Sequence, residues 1–259
     1  MDCFKYRKRK KSWKSSYFKL TLVVKKIEQG FVIQKVPFSE TSIVVKIFTK
    51  TQGLKSFLVK GGNKKYQSVF QPLSLIEFNY HHKNDEQLSI LYNANLIYNF
   101  QEIYFDHFKQ SLIFFKIEFL RQCLHEGQND EVLFNFILEE TNYLNKTKFN
   151  PNYLIYWVLT LSDILGIKPR LSNNKPTNFD LQNGEFSFSN SLSQKTIHNE
   201  TLEKFALFFL YTKEEQLNIK LLKEERKKIL EILIKYFSLH IETFRKINSL
   251  NVYQTLWYD

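Results

Sequence analysis

The periodicity of the apolar residues changes once along this chain, close to residue 100. From Leu20 to about Phe100, short runs of β-branched and aromatic residues alternate with polar ones between turn signals, a pattern typical of β-strands. From Ile103 onwards, apolar residues recur every three or four positions, which is typical of amphipathic helices. The chain is therefore predicted to be an α+β protein in which a β-rich part precedes a mostly helical part.

The β-rich part contains five predicted strands. Alternation is clearest in the second, where Ile43, Val45 and Ile47 share one face. Short antiparallel strands without helices between most of them favour a small five-stranded barrel of the OB type, with an SH3-like barrel as the alternative. The predicted strands are Lys25–Val36, Thr41–Thr49, Lys55–Gly61, Leu73–Tyr80 and Leu88–Leu96.

The helical part has clear start and stop signals. Asn150 is the expected N-cap of one helix, Pro151 suits its first position and Gly166 ends it. A capping-box pattern runs from Thr212 to Glu215. The predicted helices are Ile103–His125, Asp130–Asn145, Pro151–Leu165, Thr201–Tyr211 and a long C-terminal helix whose apolar face runs from Ile229 to Phe244.

These patterns predict the organisation of the chain. Residues 1–19 form a basic, flexible tail or a start-site artefact, residues 20–100 an OB-fold nucleic-acid-binding domain, and residues 101–259 a helical domain. Its segment 168–192 is rich in Asn, Ser, Pro and Gly and has no cysteine, which indicates an insertion. A hairpin is expected there at Gln182-Asn183-Gly184.

The positive charge of the chain is concentrated at one end. Residues 1–65 contain 17 Lys and Arg against three acidic residues, a net charge of +14, whereas the remainder carries −3. An AT-rich genome also enriches lysine, but it would not place the whole excess in one quarter of the chain. Clustered positive charge binds polyanions, because each neutralised phosphate releases counterions.

Several function classes lack support in the sequence. No apolar stretch reaches the roughly 20 residues of a membrane span, and no signal peptide is visible, so a cytoplasmic protein without membrane contact is expected. The two cysteines, Cys3 and Cys123, have neither metal-ligand nor redox spacing. No carboxylate pair or nucleophile with a partner base is visible, so the protein is not expected to be an enzyme.

The turn after the third predicted strand combines glycines with lysines. It reads Lys60-Gly61-Gly62-Asn63-Lys64-Lys65 and lacks the order of a P-loop. Lysines for phosphates together with aromatic faces for bases are what single-strand binding requires; the alternative is an ordinary hairpin turn with Phe57 in the core. The candidate nucleic-acid-binding residues are Lys46, Lys50, Lys55, Phe57, Lys60, Lys64, Lys65 and Tyr66.

Six segments of the predicted barrel form a recognisable series. They are Gly30-Phe31-Val32-Ile33, Phe38-Ser39-Glu40-Thr41-Ser42-Ile43-Val44, Phe48-Thr49-Lys50, Gly53-Leu54-Lys55-Ser56, Val59-Lys60-Gly61 and Phe70-Gln71-Pro72-Leu73-Ser74-Leu75. In this order and spacing they resemble the RecO family of bacterial recombination mediators, most strongly over residues 27–76. The similarity resumes in Asp163-Ile164-Leu165-Gly166 and in Tyr236-Phe237.

The resemblance implies a DNA repair protein without enzymatic activity. It implies binding of single- and double-stranded DNA, annealing of complementary strands, contact with the acidic C-terminal tail of single-strand-binding protein, and cooperation with RecR in loading RecA. The protein is then expected in the bacterial cytoplasm, at the nucleoid during repair. Without the resemblance, an RNA-binding OB-fold protein with a helical scaffold is the alternative.

The sequence departs from the family pattern in two places. Many relatives carry a four-cysteine zinc site after the L-G-x-x-P turn, but Leu165–Phe188 contains no cysteine, so neither zinc nor another cofactor is expected. Ile155, Tyr156 and Trp157 stand where some relatives have basic groups. The tail of single-strand-binding protein is therefore expected in a groove of the helical domain whose lysine the sequence does not identify.

Overall fold

A computed structural model of the chain describes residues 24–61, 66, 68–82, 88–98, 100–171, 176–187, 196–198 and 201–250. Its first part is a closed barrel with the strand order β1-β2-β3-β5-β4. Neighbouring strands are antiparallel except β3 and β5, which are parallel. The strands are β1 (Val24–Pro37), β2 (Ile43–Thr49), β3 (Gly53–Val59), β4 (Leu75–His82) and β5 (Ser89–Leu96).

The placement of β5 between β3 and β4 gives the barrel its Greek-key character, which confirms the OB type and excludes the SH3-like alternative. Strand β1 spans 14 residues and pairs with β4 through its first half and with β2 through its second. The register shifts between Val32 and Gln34. A single long strand thus closes the barrel on both sides.

Aromatic rings fill the barrel interior. Phe57 lies 5.0 Å from Phe78 and 5.2 Å from Tyr80, measured between ring centroids. Both contacts are edge-to-face, the geometry that aromatic quadrupoles favour. The remaining interior positions of β1 and β2 carry aliphatic side chains, including Val32, Val45 and Ile47. Alternation along each strand therefore sends one set of residues inward, as the sequence pattern predicts.

The helical part begins with a break that the sequence analysis missed. The single helix expected over Ile103–His125 is two helices, α1 (Gln101–Phe105) and α2 (His107–Cys123). Asp106 has extended backbone angles, and its carboxylate accepts from the N–H groups of Phe108 and Lys109. An aspartate in that position caps α2 and ends α1.

Further helices follow, and they pack around α4 (Tyr153–Ile164). Trp157 is fully buried, with its ring centroid 6.0 Å from Phe119 on α2 and from Phe136 on α3 (Glu131–Lys146). The others are α5 (Thr201–Leu207), α6 (Lys213–Leu217) and α7 (Lys223–His240). None of the helices that the structure describes is long and apolar enough to cross a membrane.

Three expected helix ends are wrong. The helix expected over Thr201–Tyr211 ends at Leu207. Asn150 does not cap α4, whose N-cap position is Asn152; the Asn150 side chain instead accepts from the Asn152 N–H at 2.8 Å. The C-terminal helix ends at His240, and Phe244 is buried in the turn that follows. The capping box of Thr212 and Glu215 at the start of α6 is confirmed.

The insertion supplies three strands of a small sheet with the order β6-β8-β7-β9, and the fourth strand, β9, lies beyond the predicted insertion. Phe179 and Phe186 face each other across the hairpin at Gln182-Asn183-Gly184, with ring centroids 4.5 Å apart, which confirms the predicted hairpin. Phe186 also contacts Phe205 on α5. The strands are β6 (Arg170–Leu171), β7 (Asn178–Asp180), β8 (Glu185–Ser187) and β9 (Thr196–His198).

Candidate nucleic-acid interface

The outward-facing side chains of β1, β2 and β3 form rows across the sheet. Gln34, Lys46 and Ser56 make one row, and Val36, Val44 and Leu58 make the next. These six residues are all partly or well exposed, and together they define the β2–β3 face. In OB folds this part of the barrel, with the loop between β1 and β2, is the usual place for oligonucleotides.

A third row on the same side is covered by the helices. Phe31, Phe48 and Leu54 occupy it, and all three are buried. The ring of Phe134 on α3 lies over Phe31 and Phe48, 5.1 and 6.1 Å away between centroids. The helical part thus closes one end of the β2–β3 face and leaves the other end open.

Lys46 is at the centre of the β2–β3 face. Its side chain is 40% exposed, and its amine lies 3.6 Å from the carboxylate of Glu126, a residue between α2 and α3. Ser56, its cross-strand neighbour, also contacts that carboxylate, at 3.4 Å. Among the predicted residues that the structure describes, Lys46 is therefore the one that strand register places on the face itself.

Lys50 lies in the β2–β3 turn, and Lys55 is the third residue of β3. Lys55 pairs with the interior residue Ile47, so alternation directs it away from the side that carries Lys46. Its amine donates to the Gln52 side chain at 2.7 Å. Lys50 is exposed in the turn itself. These two lysines form a separate basic group at the end of the barrel where β2 meets β3.

Lys60 is exposed at the opposite end of β3. Val59 pairs with Ile43, and Ile43 pairs with Pro37, so Lys60 lies at the end of the barrel that carries the β1–β2 turn. Lys64 and Lys65, which follow in the chain, lie outside the described residues. So do the basic residues of the segment 1–19.

The structure corrects the aromatic part of the predicted site. Phe57 is 0% exposed and Tyr66 is 5% exposed, and both belong to the barrel core. The Tyr66 hydroxyl donates to the carbonyl of Tyr92 at 2.9 Å, which holds the ring in place. Because neither ring presents a face to solvent, neither can stack on a base in this conformation, and the core alternative is the right one for Phe57.

An exposed aromatic residue that the sequence analysis missed is Phe38, whose side chain is 63% exposed in the β1–β2 turn. The turn is held by hydrogen bonds from the Phe38 and Ser39 N–H groups to the Ser42 carbonyl, at 3.0 and 3.1 Å. Lys35 is exposed shortly before it. The sequence does contain a signal for this exposed ring: Phe38 stands between Pro37 and a run of polar residues, where a turn is expected and not a core strand.

Metal-binding residues do not cluster in the part of the chain that the structure describes: no group of three or more His, Cys, Asp or Glu is placed to hold an ion. Cys123 is buried, and burial raises the pKa of its thiol above the ordinary value. His125 is exposed two residues later. Raised thiol pKa values disfavour the thiolate that metal binding and nucleophilic chemistry require.

A closed OB barrel with lysines and an exposed aromatic ring around its β2–β3 face is a module of the nucleic-acid-binding class. Comparison with protein families gives two matches: residues 24–100 match the family described as Recombination protein O N terminal, and residues 105–249 match Recombination protein O C terminal. The chain belongs to the RecO family of DNA repair proteins.

Individual relatives agree with this assignment. The DNA repair protein RecO of Flavobacterium psychrophilum is 30% identical over 229 residues, covering 86% of this chain and 95% of the relative. That of Flavobacterium johnsoniae is 28% identical, with 88% and 98% covered. That of Bacteroides fragilis is 27% identical, with 88% and 97% covered. The similarity therefore spans both the barrel and the helices.

Proposed function

We propose that this protein is a recombination mediator. It binds single- and double-stranded DNA, anneals complementary strands, and together with RecR helps to load RecA onto DNA coated with single-strand-binding protein. The observation that carries the proposal is the exposed combination of Lys46, Lys60 and Phe38 around the β2–β3 face of an OB barrel, in a chain of the RecO family.

DNA binding by this face would be independent of sequence. Lysine amines neutralise phosphates as point charges, and an exposed ring stacks on any base, so neither contact reads base identity. In this proposal Lys46 binds the backbone at the centre of the face, and Lys60, followed by Lys64 and Lys65, binds it at the open end. Lys50 and Lys55 extend the basic surface at the other end of the barrel.

The protein would act without cofactor or covalent chemistry. It holds two strands close to each other, so it accelerates annealing by raising their local concentration. The helical part is the proposed binding site for the acidic tail of single-strand-binding protein. The relatives named above are bacterial, and the proposed place of action is the cytoplasm, at the nucleoid.

Strand annealing tests the proposal directly. Complementary oligonucleotides coated with single-strand-binding protein anneal slowly, and the protein should accelerate their annealing without altering the length of either strand. A rate equal to that of the protein-free reaction would overturn the mediator assignment. Shortened strands in the presence of Mg²⁺ would instead indicate nuclease activity.

A matched RNA competition separates DNA from RNA as the ligand. Phosphate contacts and base stacking are common to both nucleic acids, whereas the 2′-hydroxyl distinguishes them. Unlabelled DNA of the same sequence should displace labelled single-stranded DNA at a lower concentration than RNA does. The reverse order would favour an RNA-binding role with the helices as a scaffold.

A further inference from the structure

We propose that Glu126 restrains DNA binding by occupying Lys46, so that the helical part of the chain sets the affinity of the barrel. The inference rests on the proposed function, because it assigns a regulating role to a residue that contacts the proposed DNA-binding face. Glu126 belongs neither to the barrel nor to a helix; it lies between α2 and α3.

The carboxylate of Glu126 reaches the central row of the β2–β3 face. One of its oxygens is 3.6 Å from the Lys46 amine and 3.4 Å from the Ser56 hydroxyl. Both contacts are the kind that a DNA phosphate would make with the same two side chains. The Glu126 side chain is 65% exposed and that of Lys46 is 40% exposed, so the pair is open to an approaching strand.

The segment around Glu126 is fixed to the barrel by its backbone. Glu126 forms a parallel β-bridge with Leu54, and the Gly127 N–H donates to the Leu54 carbonyl at 3.2 Å. Gly53 lies so close to Gln128 that a Cβ on Gly53 would be 2.0 Å from the Gln128 carbonyl oxygen. These contacts fix the backbone of Glu126 beside β3, and the Glu126 side chain reaches Lys46 and Ser56 from that position.

Stability does not explain the ion pair. Exposed pairs of this kind contribute little to folding, since the side chains lose entropy and the attraction is screened. On a surface that must attract phosphates, however, a carboxylate beside the central lysine has an electrostatic effect of its own. It offsets part of the positive charge of Lys46 and repels the phosphates of the strand.

Restrained affinity suits a protein that brings strands together. A strand held too tightly cannot pair with its complement and leave the face. While Glu126 remains beside Lys46, this lysine contributes less to counterion release, so binding is weaker and less sensitive to salt. Glu126 thus acts through Lys46 and shortens the lifetime of the protein–DNA complex.

The variant Glu126→Gln tests the inference, with Glu139→Gln as its matched control. Glu139 is an exposed glutamate on α3, so both variants remove one negative charge from the same chain. Affinity for a fluorescent oligothymidine should rise about three- to tenfold in Glu126→Gln and change less than about twofold in Glu139→Gln. The slope of log affinity against log salt should steepen by about 0.7 in Glu126→Gln alone.

A second pair of variants distinguishes the mechanism. If Glu126 acts by occupying Lys46, the gain from Glu126→Gln should fall below half when Lys46→Gln is also present. An unchanged gain in that background, or equal effects of Glu126→Gln and Glu139→Gln, would overturn the inference while leaving the DNA-binding face in place. Unchanged affinity in both Lys46→Gln and Lys60→Gln would instead overturn the proposed face itself.

Discussion

Phe134 on α3 packs its ring against Phe31 of β1, with 5.1 Å between the ring centroids. The same ring contacts Phe48 of β2. Phe31, Phe48 and Leu54 therefore belong to one continuous core with the helices, although they lie on the outer side of the barrel. This contact explains why the third outward-facing row of the barrel is covered while the β2–β3 face stays exposed, and it joins the barrel and the helices in one core.

Replacing Phe134 with alanine should remove this shared core. We expect a loss of about 3–5 kcal/mol in the free energy of unfolding, the usual range for a buried phenylalanine. Denaturant unfolding followed by fluorescence and by circular dichroism measures it. Phe105→Ala is the control, because Phe105 is 83% exposed. Equal small losses in the two variants would contradict the shared core.

Two glycines with the same backbone conformation allow a test of the junction. Gly53 and Gly61 have φ values of +68° and +67°, but only Gly53 has neighbours within 4 Å of an added Cβ. Gly61→Ala should cost only the left-handed penalty of about 1–2 kcal/mol. Gly53→Ala should cost more, because the barrel and the segment near Gln128 must separate. Equal shifts of the thermal midpoint would argue against close contact there.

Lys116 on α2 makes the stability of the helical part dependent on pH. The residue is fully buried, and its amine donates to the Tyr153 hydroxyl at 3.2 Å. Burial lowers the pKa of Lys116 to about 7 from the ordinary 10.5, with Glu140 opposing and Lys213 reinforcing the shift. Between these two values the unfolded chain binds the proton that the folded chain has released, so stability should rise with pH.

The pH dependence of Lys116 is best measured against Lys116→Met. Burial also raises the pKa of the Cys123 thiol, which lowers stability at alkaline pH, but this contribution is common to both proteins. From about pH 7.5 to 9.5, the difference in unfolding free energy between the wild type and Lys116→Met should increase in favour of the wild type. The increase should be up to about 1.4 kcal/mol per pH unit. Parallel curves would show that Lys116 does not titrate in this range.

Phe38 should contribute to DNA binding without contributing to stability. Its ring is 63% exposed, so Phe38→Ala removes few packing contacts. If the ring stacks on a base, affinity for single-stranded DNA should fall by about 1–3 kcal/mol, whereas the thermal midpoint stays unchanged. Phe38→Trp should retain binding. A variant that binds like the wild type would place the stacking surface elsewhere.

The sequence predicts elements better than it predicts surfaces. Each barrel strand starts and ends within two residues of its predicted bounds, because alternation over five to eight residues is a strong local signal. The hairpin at Asn183-Gly184 and the capping box at Thr212 are equally local. Their chemistry involves residues only a few positions apart in the chain.

The candidate site depends on register, which is not local. Phe57 and Phe38 are both aromatic and both near lysines, but Phe57 faces inward from the centre of β3 whereas Phe38 lies in a turn. Lys46 and Lys55 likewise differ in the side of the sheet to which alternation directs them: Lys46 pairs with the exposed Ser56, whereas Lys55 pairs with the interior residue Ile47. The contact between Lys46 and Glu126 joins residues 80 positions apart, and no local sequence pattern predicts it.

In the proposed function, the β2–β3 face and the open end of the barrel together bind the DNA backbone. The most direct test is the salt dependence of single-stranded DNA affinity in Lys46→Gln/Lys60→Gln, with Lys235→Gln on α7 as the control. A full phosphate contact contributes about 0.7 to the slope, and Lys46 contributes less than that while Glu126 lies beside it. The double variant should therefore lose between about 0.7 and 1.4 of the slope, while the control keeps the wild-type slope. Identical slopes and affinities in all three proteins would contradict DNA binding by this face.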